Sequence, residues 1–394
     1  MSDWPWDLTF EVAFDVNPAD EPVTADWTDL SDRLRKRPGV RVERGQPGGQ
    51  ARGTATLDLN NRDRELDPTH TSATHNLVPM RHARVNVTVG ETTFPLFRGF
   101  VKAWPPVWPE ADQGIVSVHL VDAFAWIGLQ QSDVDLPRQR THDRVGAILD
   151  LAGWPAAHRD IADGVVWLDP VERSDANLLQ MLIDTADAED GELYVDGEGA
   201  VTFRSRHGRF DTAEQETFGP DGIRVAAVRP LFDVDQLTNI AVVELDEDTT
   251  WTFEDAGSVT AYGPRSWPVR GLPLRKAEAV GAAQWVVYRF AQPHLWLPGL
   301  TAYGHRDGQL PQLLGLEVGD RVGFEHTPPG PGNAEMSGHI ESIVHTVGDG
   351  TWTTAVEVSP YFGEGPWAQW ETAEASSGTT WATAEATEGP RWAP

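Results

Sequence analysis

Short runs in which hydrophobic and polar residues alternate make up much of the chain, a pattern typical of half-buried β-strands. Clear examples are residues 8–14, 55–59, 85–89 and 240–243. Polar turn clusters, 37 glycines and 29 prolines punctuate the sequence between such runs. The pattern therefore predicts a mainly β fold with many turns, in which helix is a minority element.

Helical periodicity interrupts the strands near the middle of the chain. A first helix is predicted from about residue 141, and Gly153 and Pro155 end it. A second helix is predicted to begin at Ser174, a residue type that caps helix N-termini. Its apolar stripe consists of Leu178, Leu179, Leu182, Ile183 and Ala186.

A β-hairpin is predicted directly after the second helix. Asp196-Gly197 lies between two alternating segments, and glycine accepts the positive φ that tight turns need. This part of the chain is therefore predicted to be an α+β insertion, made of helices and a hairpin. Strands return after residue 220, and one further helix is predicted after Pro273.

One order of short motifs occurs twice. The first copy is Leu77, Arg84-Val85, Gly99 and strand 115–121, and the second is Leu314, Arg321-Val322, Gly338 and strand 352–358. The valine-to-glycine spacing suits two strands of a small barrel and the loop between them. Two related β-barrel domains follow if this is a true duplication, although strand-turn-strand patterns also recur by chance.

Four segments are therefore expected. Residues 1–130 form a first β-barrel domain, 131–212 a helix-and-hairpin insertion domain, 213–361 a second β-barrel domain with one helix, and 362–394 a Trp-rich extended C-terminal tail. In this tail, Trp370-Glu-Thr-Ala-Glu-Ala returns 11 residues later as Trp381-Ala-Thr-Ala-Glu-Ala. Counting Trp367 and Trp392, its tryptophans are too many for a solvated linker, so we expect it to contact a neighbouring subunit.

Charge and composition exclude several function classes. Sixty acidic and 31 basic residues give a net charge of −29, so the bulk surface repels nucleic acid. High-salt adaptation is an alternative origin of this acidity. The absence of cysteine excludes disulfides, thiolate metal sites and cysteine nucleophiles. With no secretory signal and no apolar run near the ~20 residues that span a bilayer, a soluble chain without a membrane span is expected.

Candidate chemistry is sparse. His339, Glu341 and His345 alternate on one predicted strand and could face a metal, as in a metal-dependent hydrolase, although a solvent-facing polar row is the favoured interpretation. Asp196 and Glu198 lack the spacing of a calcium loop and are assigned to the hairpin turn. Sequence motifs of hydrolases, nucleotide-binding loops and dinucleotide folds are missing. We therefore predict no catalytic, cofactor-binding or metal-binding residues and no enzymatic activity.

The 17 tryptophans admit two interpretations. Exposed indoles that stack on sugars would make the protein a carbohydrate-binding adhesion module. Tryptophan also fills cores and anchors protein interfaces, and we favour that interpretation. The possible subunit-interface residues are Trp104, Trp108, Trp296, Trp367, Trp370, Trp381 and Trp392.

Several segments, in order, carry a resemblance to a known family. Trp27-Thr-Asp-Leu30, Arg44-Gly45-Gln46, Asn60-Asn-Arg-Asp-Arg64 and Leu96-Phe97-Arg98-Gly99 resemble the opening of minor tail proteins of tailed phages that infect actinobacteria. Thr238-Asn239, Ser258-Val-Thr-Ala-Tyr-Gly263 and Val318-Gly-Asp-Arg-Val322 are similar to the tail-tip or baseplate hub family. The tail after Tyr361 lies outside the resemblance.

The resemblance implies a structural hub located in the virion tail tip and assembled in the host cytoplasm. It implies a homotrimer whose six barrels form a pseudo-sixfold ring between a sixfold tail tube and threefold tip proteins. The expected partners are distal tail ring, tube-end and tip or fibre proteins. A distal tail ring protein is the alternative structural role.

Overall fold

A mixed sheet of 13 strands dominates the structure. The computed structural model describes residues 6–37, 39–46, 53–71, 73–110, 113–205, 208, 213–226, 228–232, 234, 237–244, 250–269, 276–327 and 334–361. The prediction of a mainly β fold is confirmed. Across those residues no closed barrel is found, and strands from both predicted barrel segments join in this one sheet.

The first 130 residues contribute eight strands to the sheet and one short helix. These are β1 (Asp7–Ala13), β2 (Thr28–Asp29), β3 (Val40–Gly45), β4 (Thr54–Asn60), β5 (His82–Val89), β6 (Thr92–Ala103), β7 (Pro106–Glu110), β8 (Gln113–Val121) and α1 (Ala123–Ile127). Alternate side chains point to the core, as in β1, where Phe10 and Val12 are fully buried.

The next 80 or so residues form small sheets with two longer helices. Their elements are β9 (Gln131–Leu136), β10 (Gln139–Arg140), α2 (Thr141–Leu151), β11 (Arg159–Ile161), β12 (Trp167–Leu168), β13 (Val171–Asn177), α3 (Leu178–Asp187), β14 (Glu192–Val195) and β15 (Val201–Arg204). The predicted hairpin is confirmed as β14 and β15, which pair antiparallel from Val195↔Val201 to Glu192↔Arg204.

Helix α3 begins four residues later than predicted. Ser174 lies in strand β13, which pairs antiparallel with β9. The N-cap is Asn177, whose side-chain oxygen accepts a hydrogen bond from the Gln180 N–H at 2.9 Å. Both residues are good N-caps, and the pairing with β9 decided between them, because Ala176 and Asn177 still pair with β9 beyond a bulge at residues 174–175.

The remaining described residues add five strands to the large sheet and a small α/β subdomain. Their elements are β16 (Glu216–Phe218), β17 (Ile240–Glu244), β18 (Thr250–Glu254), α4 (Ala256–Tyr262), β19 (Ser266–Val269), α5 (Lys276–Phe290), β20 (Gly299–Tyr303), α6 (Leu310–Gly315), β21 (Arg321–His326), β22 (Ala334–Gly348) and β23 (Thr351–Pro360). The helix predicted after Pro273 is confirmed as α5. Helix α4 was not predicted, although Asp255 caps it by accepting from the Ser258 N–H at 2.8 Å.

A three-stranded antiparallel unit occurs twice in the large sheet. The first unit is β5-β6-β8 and the second is β21-β22-β23. Middle and third strands pair as Phe100↔Val121, Val101↔Leu120 and Ala103↔His119 in the first unit, and as His339↔Ser359, Ile340↔Val358 and Ser342↔Glu357 in the second. Each middle strand thus has a β-bulge three residues after the motif glycine, at Lys102 and at Glu341.

The two motif glycines share one steric cause. A Cβ on Gly99 would collide with the carbonyl oxygen of Val121, and one on Gly338 with that of Ser359, at matching ladder positions. The first strands correct the sequence comparison: Ala83 faces Gly99, whereas Val322 faces Gly338. Ala83, and not Val85, is therefore the structural equivalent of Val322. Because Ala83 and Val85 are two residues apart, their side chains lie on the same face of the sheet.

The two units share hydrophobic contacts as well as backbone pairing. Strand β3 pairs with β4 on one side and with the second half of β22 on the other. The first core cluster, drawn mainly from residues 6–120, also contains Val347 and Trp352 from the second unit. The side chains of both are fully or almost fully buried. The first and third predicted segments therefore contribute to one packed core.

Candidate assembly site

The junction between the two units is held by a partly buried ion pair. Arg44, from β3, is almost fully buried, and its guanidinium binds both carboxylate oxygens of Glu317. One of those oxygens also accepts the Gly197 N–H at 3.3 Å. The β3 strand, the β14–β15 turn and the loop before β21 thus meet at one point.

Negative charge accumulates around this ion pair. Burial and the nearby Glu317 carboxylate raise the pKa of Asp320 to about 6, against the opposing effect of a hydrogen bond from the Glu317 N–H. Burial also raises the pKa of Asp196, where hydrogen bonding from the Ala200 N–H opposes the shift. Asp196 Oδ1 accepts that N–H at 2.8 Å, so its assignment to the hairpin turn is confirmed.

The structure does not bring His339, Glu341 and His345 together as a metal site. The bulge at Glu341 reverses the alternation of side chains along β22, so the two histidines lie on opposite faces of the sheet. Both are buried, which also overturns the solvent-facing interpretation. Among the residues that the structure describes, no group of three or more His, Asp or Glu side chains could hold a metal ion.

Each histidine instead serves the packing of the sheet. The His345 ring accepts hydrogen bonds at Nδ1 from the Thr354 hydroxyl at 3.0 Å and the Trp352 indole at 3.3 Å. Burial, together with the charge of Arg44, lowers the pKa of His345 to about 3, so the ring is neutral at physiological pH. His339 Nδ1 lies 3.3 Å from the Gly319 carbonyl and therefore carries the proton in that bond.

The predicted interface tryptophans fall into three environments. Trp104 lies in the core, with its ring stacked on Phe14, so its side chain is not available to a partner. Trp108 is 60% exposed, with one ring face turned toward the Arg64 guanidinium. Trp296 is half-buried, and its backbone pairs with Leu231 through two hydrogen bonds of 2.8 and 3.0 Å. The predictions for Trp367, Trp370, Trp381 and Trp392 lie outside the described residues.

Exposed apolar side chains occupy adjacent positions at two places that sequence analysis only partly found. Strand β7 exposes Val107 beside Trp108. Further along the chain, Leu231 and Phe232 are exposed next to Trp296. Large exposed hydrophobic residues that cluster in this way are typical of protein interfaces. In the described part of the chain, no helix is long and apolar enough to cross a membrane.

Known tail proteins share this architecture. The structure resembles the prophage MuSo2 43 kDa tail protein from Shewanella oneidensis, at 14% identity and a TM-score of 0.55, over 90% of this chain and 96% of that one. It resembles a tail protein from Neisseria meningitidis at 12% identity and a TM-score of 0.59, over 90% and 96% of the two chains. The chain has a phage tail-protein fold.

The tail-protein fold extends beyond phages. A type VI secretion component from E. coli, described as similar to the T4 tail proteins gp27 and gp5, matches at 10% identity and a TM-score of 0.51, over 84% of this chain and 74% of that one. The likeness of fold to tail-tip and baseplate proteins implied by the sequence motifs is thereby confirmed. No protein-family model and no curated protein matches the sequence.

Sequence reasoning missed the Arg44–Glu317 junction of the tail-protein fold. Arg44 and the Val318–Val322 segment were noticed only as parts of two separate resemblances. The ion pair joins residues 273 positions apart, and charged residues are common in this chain, so no local pattern indicates the contact. Pairing of β3 with β22 brings the two charges together.

Proposed function

We propose that the protein is a structural hub of a phage tail tip, and that it acts as a homotrimer that adapts a sixfold tail tube to threefold tip proteins. The observation that carries the proposal is the duplicated three-stranded unit, with its matched bulges and glycines, within a tail-protein fold. Three chains with two similar units each present six similar surfaces to one partner and three identical chains to another.

The proposal places the protein in the virion, at the end of the tail, after assembly in the host cytoplasm. Its partners would be the distal tail ring or tube-end proteins on one side and tip or fibre proteins on the other. The role is one of assembly rather than catalysis. The two histidines that had suggested a hydrolase support this, because each is buried and engaged in the packing of the sheet.

The mass of the purified chain in solution and the symmetry of its particles test the proposal together. We expect a species of three chains by sedimentation or mass photometry, and averaged electron micrographs with a threefold ring of six similar lobes. The measurement is repeated in the presence of the purified tube-end protein, which serves as a template for assembly. A chain that stays monomeric under both conditions would contradict the trimeric hub.

Carbohydrate binding is a second candidate, because Trp267 is 57% exposed on β19 and Trp108 is also exposed. A glycan screen read by tryptophan fluorescence tests it directly. The structural proposal predicts no saturable quenching. Saturable quenching that a Trp267→Ala variant loses would establish sugar recognition and replace a purely structural role.

A further inference from the structure

The correspondence between the two units extends to the strand that flanks each of them. In the first unit, Leu34 bridges Leu59 of β4, and the Arg35 N–H donates to the Asp58 carbonyl at 2.9 Å. In the second unit, Val225 bridges Ala302 of β20, and the Ala226 N–H donates to the Thr301 carbonyl at 2.9 Å. Residues 225–226 and 228–232 therefore stand to β20 as residues 34–45 stand to β4, with four fewer residues between the first bridge and the later pairing.

Residue positions can be matched across this correspondence. Ala55 pairs with Leu120 in β8, and Pro298 accepts the N–H of Val358 in β23. Leu120 and Val358 are equivalent third-strand positions, so Pro298 is the equivalent of Ala55. The bridges Val225↔Ala302 and Leu231↔Trp296 share one register, which puts Arg229 opposite Pro298. Val42 faces Ala55, so Arg229 is the equivalent of Val42.

Within one chain, β3 covers the second half of β22. The ladder runs from Ser342↔Gly45 to Val347↔Val40 and includes His345↔Val42. This contact helps to bury Val347, which is only 1% exposed. The first part of β22 pairs on that edge with β21 instead, so β3 occupies the edge that β21 leaves.

In the first unit, the edge that corresponds to the one covered by β3 has no paired strand among the described residues. Strand β7 continues β6 along β8, with Pro106↔Val116 and Val107↔Ile115, which makes Pro106 the equivalent of His345. The register shifts after Val107, and by position in the chain Trp108 then corresponds to Val347. No second strand pairs with β7 among the residues that the structure describes. Trp108 is consequently 60% exposed where Val347 is buried.

We propose that a second copy of this chain fills the edge. Residues 228–232 of one copy cover residues 103–107 of the next, as β3 covers the second half of β22 within the chain, so Arg229 of one copy faces Pro106 of its neighbour. This proposal rests on the proposed ring and names the contact that closes it. In this antiparallel register Val107 lies opposite Val228 of the neighbour, and the exposed Trp108 lies at the end of the covered edge.

The chemistry of β7 favours side-chain packing over an extended backbone ladder in this contact. Pro106 has no N–H to donate, and proline on an edge strand discourages indiscriminate strand addition. Tryptophan is a typical interface anchor, and the exposed Trp108 borders this edge. The contact joins two different surfaces, so it repeats head to tail and closes as a ring.

Cysteine cross-linking tests the contact, because the native chain has no cysteine and introduced thiols are unique. A Pro106→Cys/Arg229→Cys double variant treated with a short bismaleimide should give species of two and three chains on a denaturing gel. A Leu129→Cys/Arg229→Cys pair is the control, because Leu129 is highly exposed and lies between α1 and β9, outside the proposed contact. Trimers in solution with no inter-chain link from the first pair would overturn this contact alone, whereas a monomer under all conditions would overturn the ring as well.

A substitution at the edge gives a second, independent measurement. Trp108→Lys should weaken trimer formation by at least about tenfold, the loss expected of an interface anchor, without lowering the melting temperature of the separated chain. Trp267→Lys is the matched control, since its side chain is nearly as exposed on a different strand. A Trp108→Lys trimer as stable as that of the control would contradict the proposal.

Discussion

At the scale of the residue, two buried aspartates show how neighbouring groups decide the sign of a carboxylate's contribution to stability. Asp122 caps α1 by accepting the Phe124 N–H at 3.0 Å, and burial raises its pKa to about 7 against the opposing effect of hydrogen bonds. For Asp67 burial also opposes ionisation, but hydrogen bonds from Thr69 and Arg64 outweigh it and lower the pKa to about 2. An ionised aspartate therefore destabilises the folded state at position 122 and stabilises it at position 67.

Replacing Asp122 by asparagine keeps a capping oxygen and removes the charge. Because the folded pKa lies above the ordinary value, wild-type stability should rise as pH falls from about 8 toward 4, while the variant lacks this contribution. At pH 8 we expect Asp122→Asn to be more stable, by an amount on the order of a few kcal/mol at most. Thermal unfolding of both proteins between pH 4 and 9 measures this, and parallel profiles would refute it.

Replacing Asp67 by asparagine should have the opposite sign. The folded pKa lies below the ordinary value of 3.8, so the stabilisation is fully present above about pH 4 and is lost as pH falls toward 2. Asp67→Asn should therefore cost about 2 kcal/mol at pH 7 and progressively less in acid. Urea unfolding at pH 7 and at pH 3 gives the two values. An equal loss at both would assign the effect to packing instead.

At the scale of the element, the repeated glycines have a steric cause that the sequence pattern contained without explaining. The motif marked Gly99 and Gly338, and the structure shows that each approaches a carbonyl oxygen of its third strand. The hairpin and α5 were likewise predictable, because tight turns and helical stripes are local signals. The start of α3 and the burial of both strand histidines were not, because pairing with β9 and a bulge in β22 decided them.

Alanine at either motif glycine should destabilise the sheet. The backbone has to move to admit a Cβ at Gly99 or Gly338, and such overpacking costs about 1–3 kcal/mol. Gly146→Ala is the matched control, because that glycine lies inside α2 with open space around the position of a Cβ. It should be neutral or stabilising by up to about 1 kcal/mol. Denaturant unfolding of the three variants compares them, and equal losses at all three would count against the steric explanation.

At the scale of the whole molecule, the sheet joins segments that the sequence separates into domains. Val347 and Trp352 lie in the first core, and β3 pairs with β22. The domain boundaries at residues 130 and 212 are proposals. The first and third segments nevertheless pack into one hydrophobic core.

Separate expression of the segments tests this dependence. We expect residues 1–130 alone to lack cooperative thermal unfolding, because the fragment exposes the surface that Val347 and Trp352 cover. Mixing it with residues 213–361 should restore part of the transition, and a Trp352→Ala version of that partner should restore less, since a buried indole is lost. A fragment of residues 1–130 that unfolds cooperatively on its own would show two independent domains instead.

The sequence by itself determined the mainly β class, several of the individual strands, the hairpin, two of the longer helices, the repeated motif and the likeness to tail proteins. Each of these rests on local periodicity, turn chemistry or the order of short motifs. Only the tertiary structure decided that both units share one sheet, that Arg44 meets Glu317, that Trp104 is a core residue while Trp108 is exposed, and which edge is left open. These features depend on contacts between residues far apart in the chain, and the alternation of side chains along one strand does not specify which strand will lie beside it.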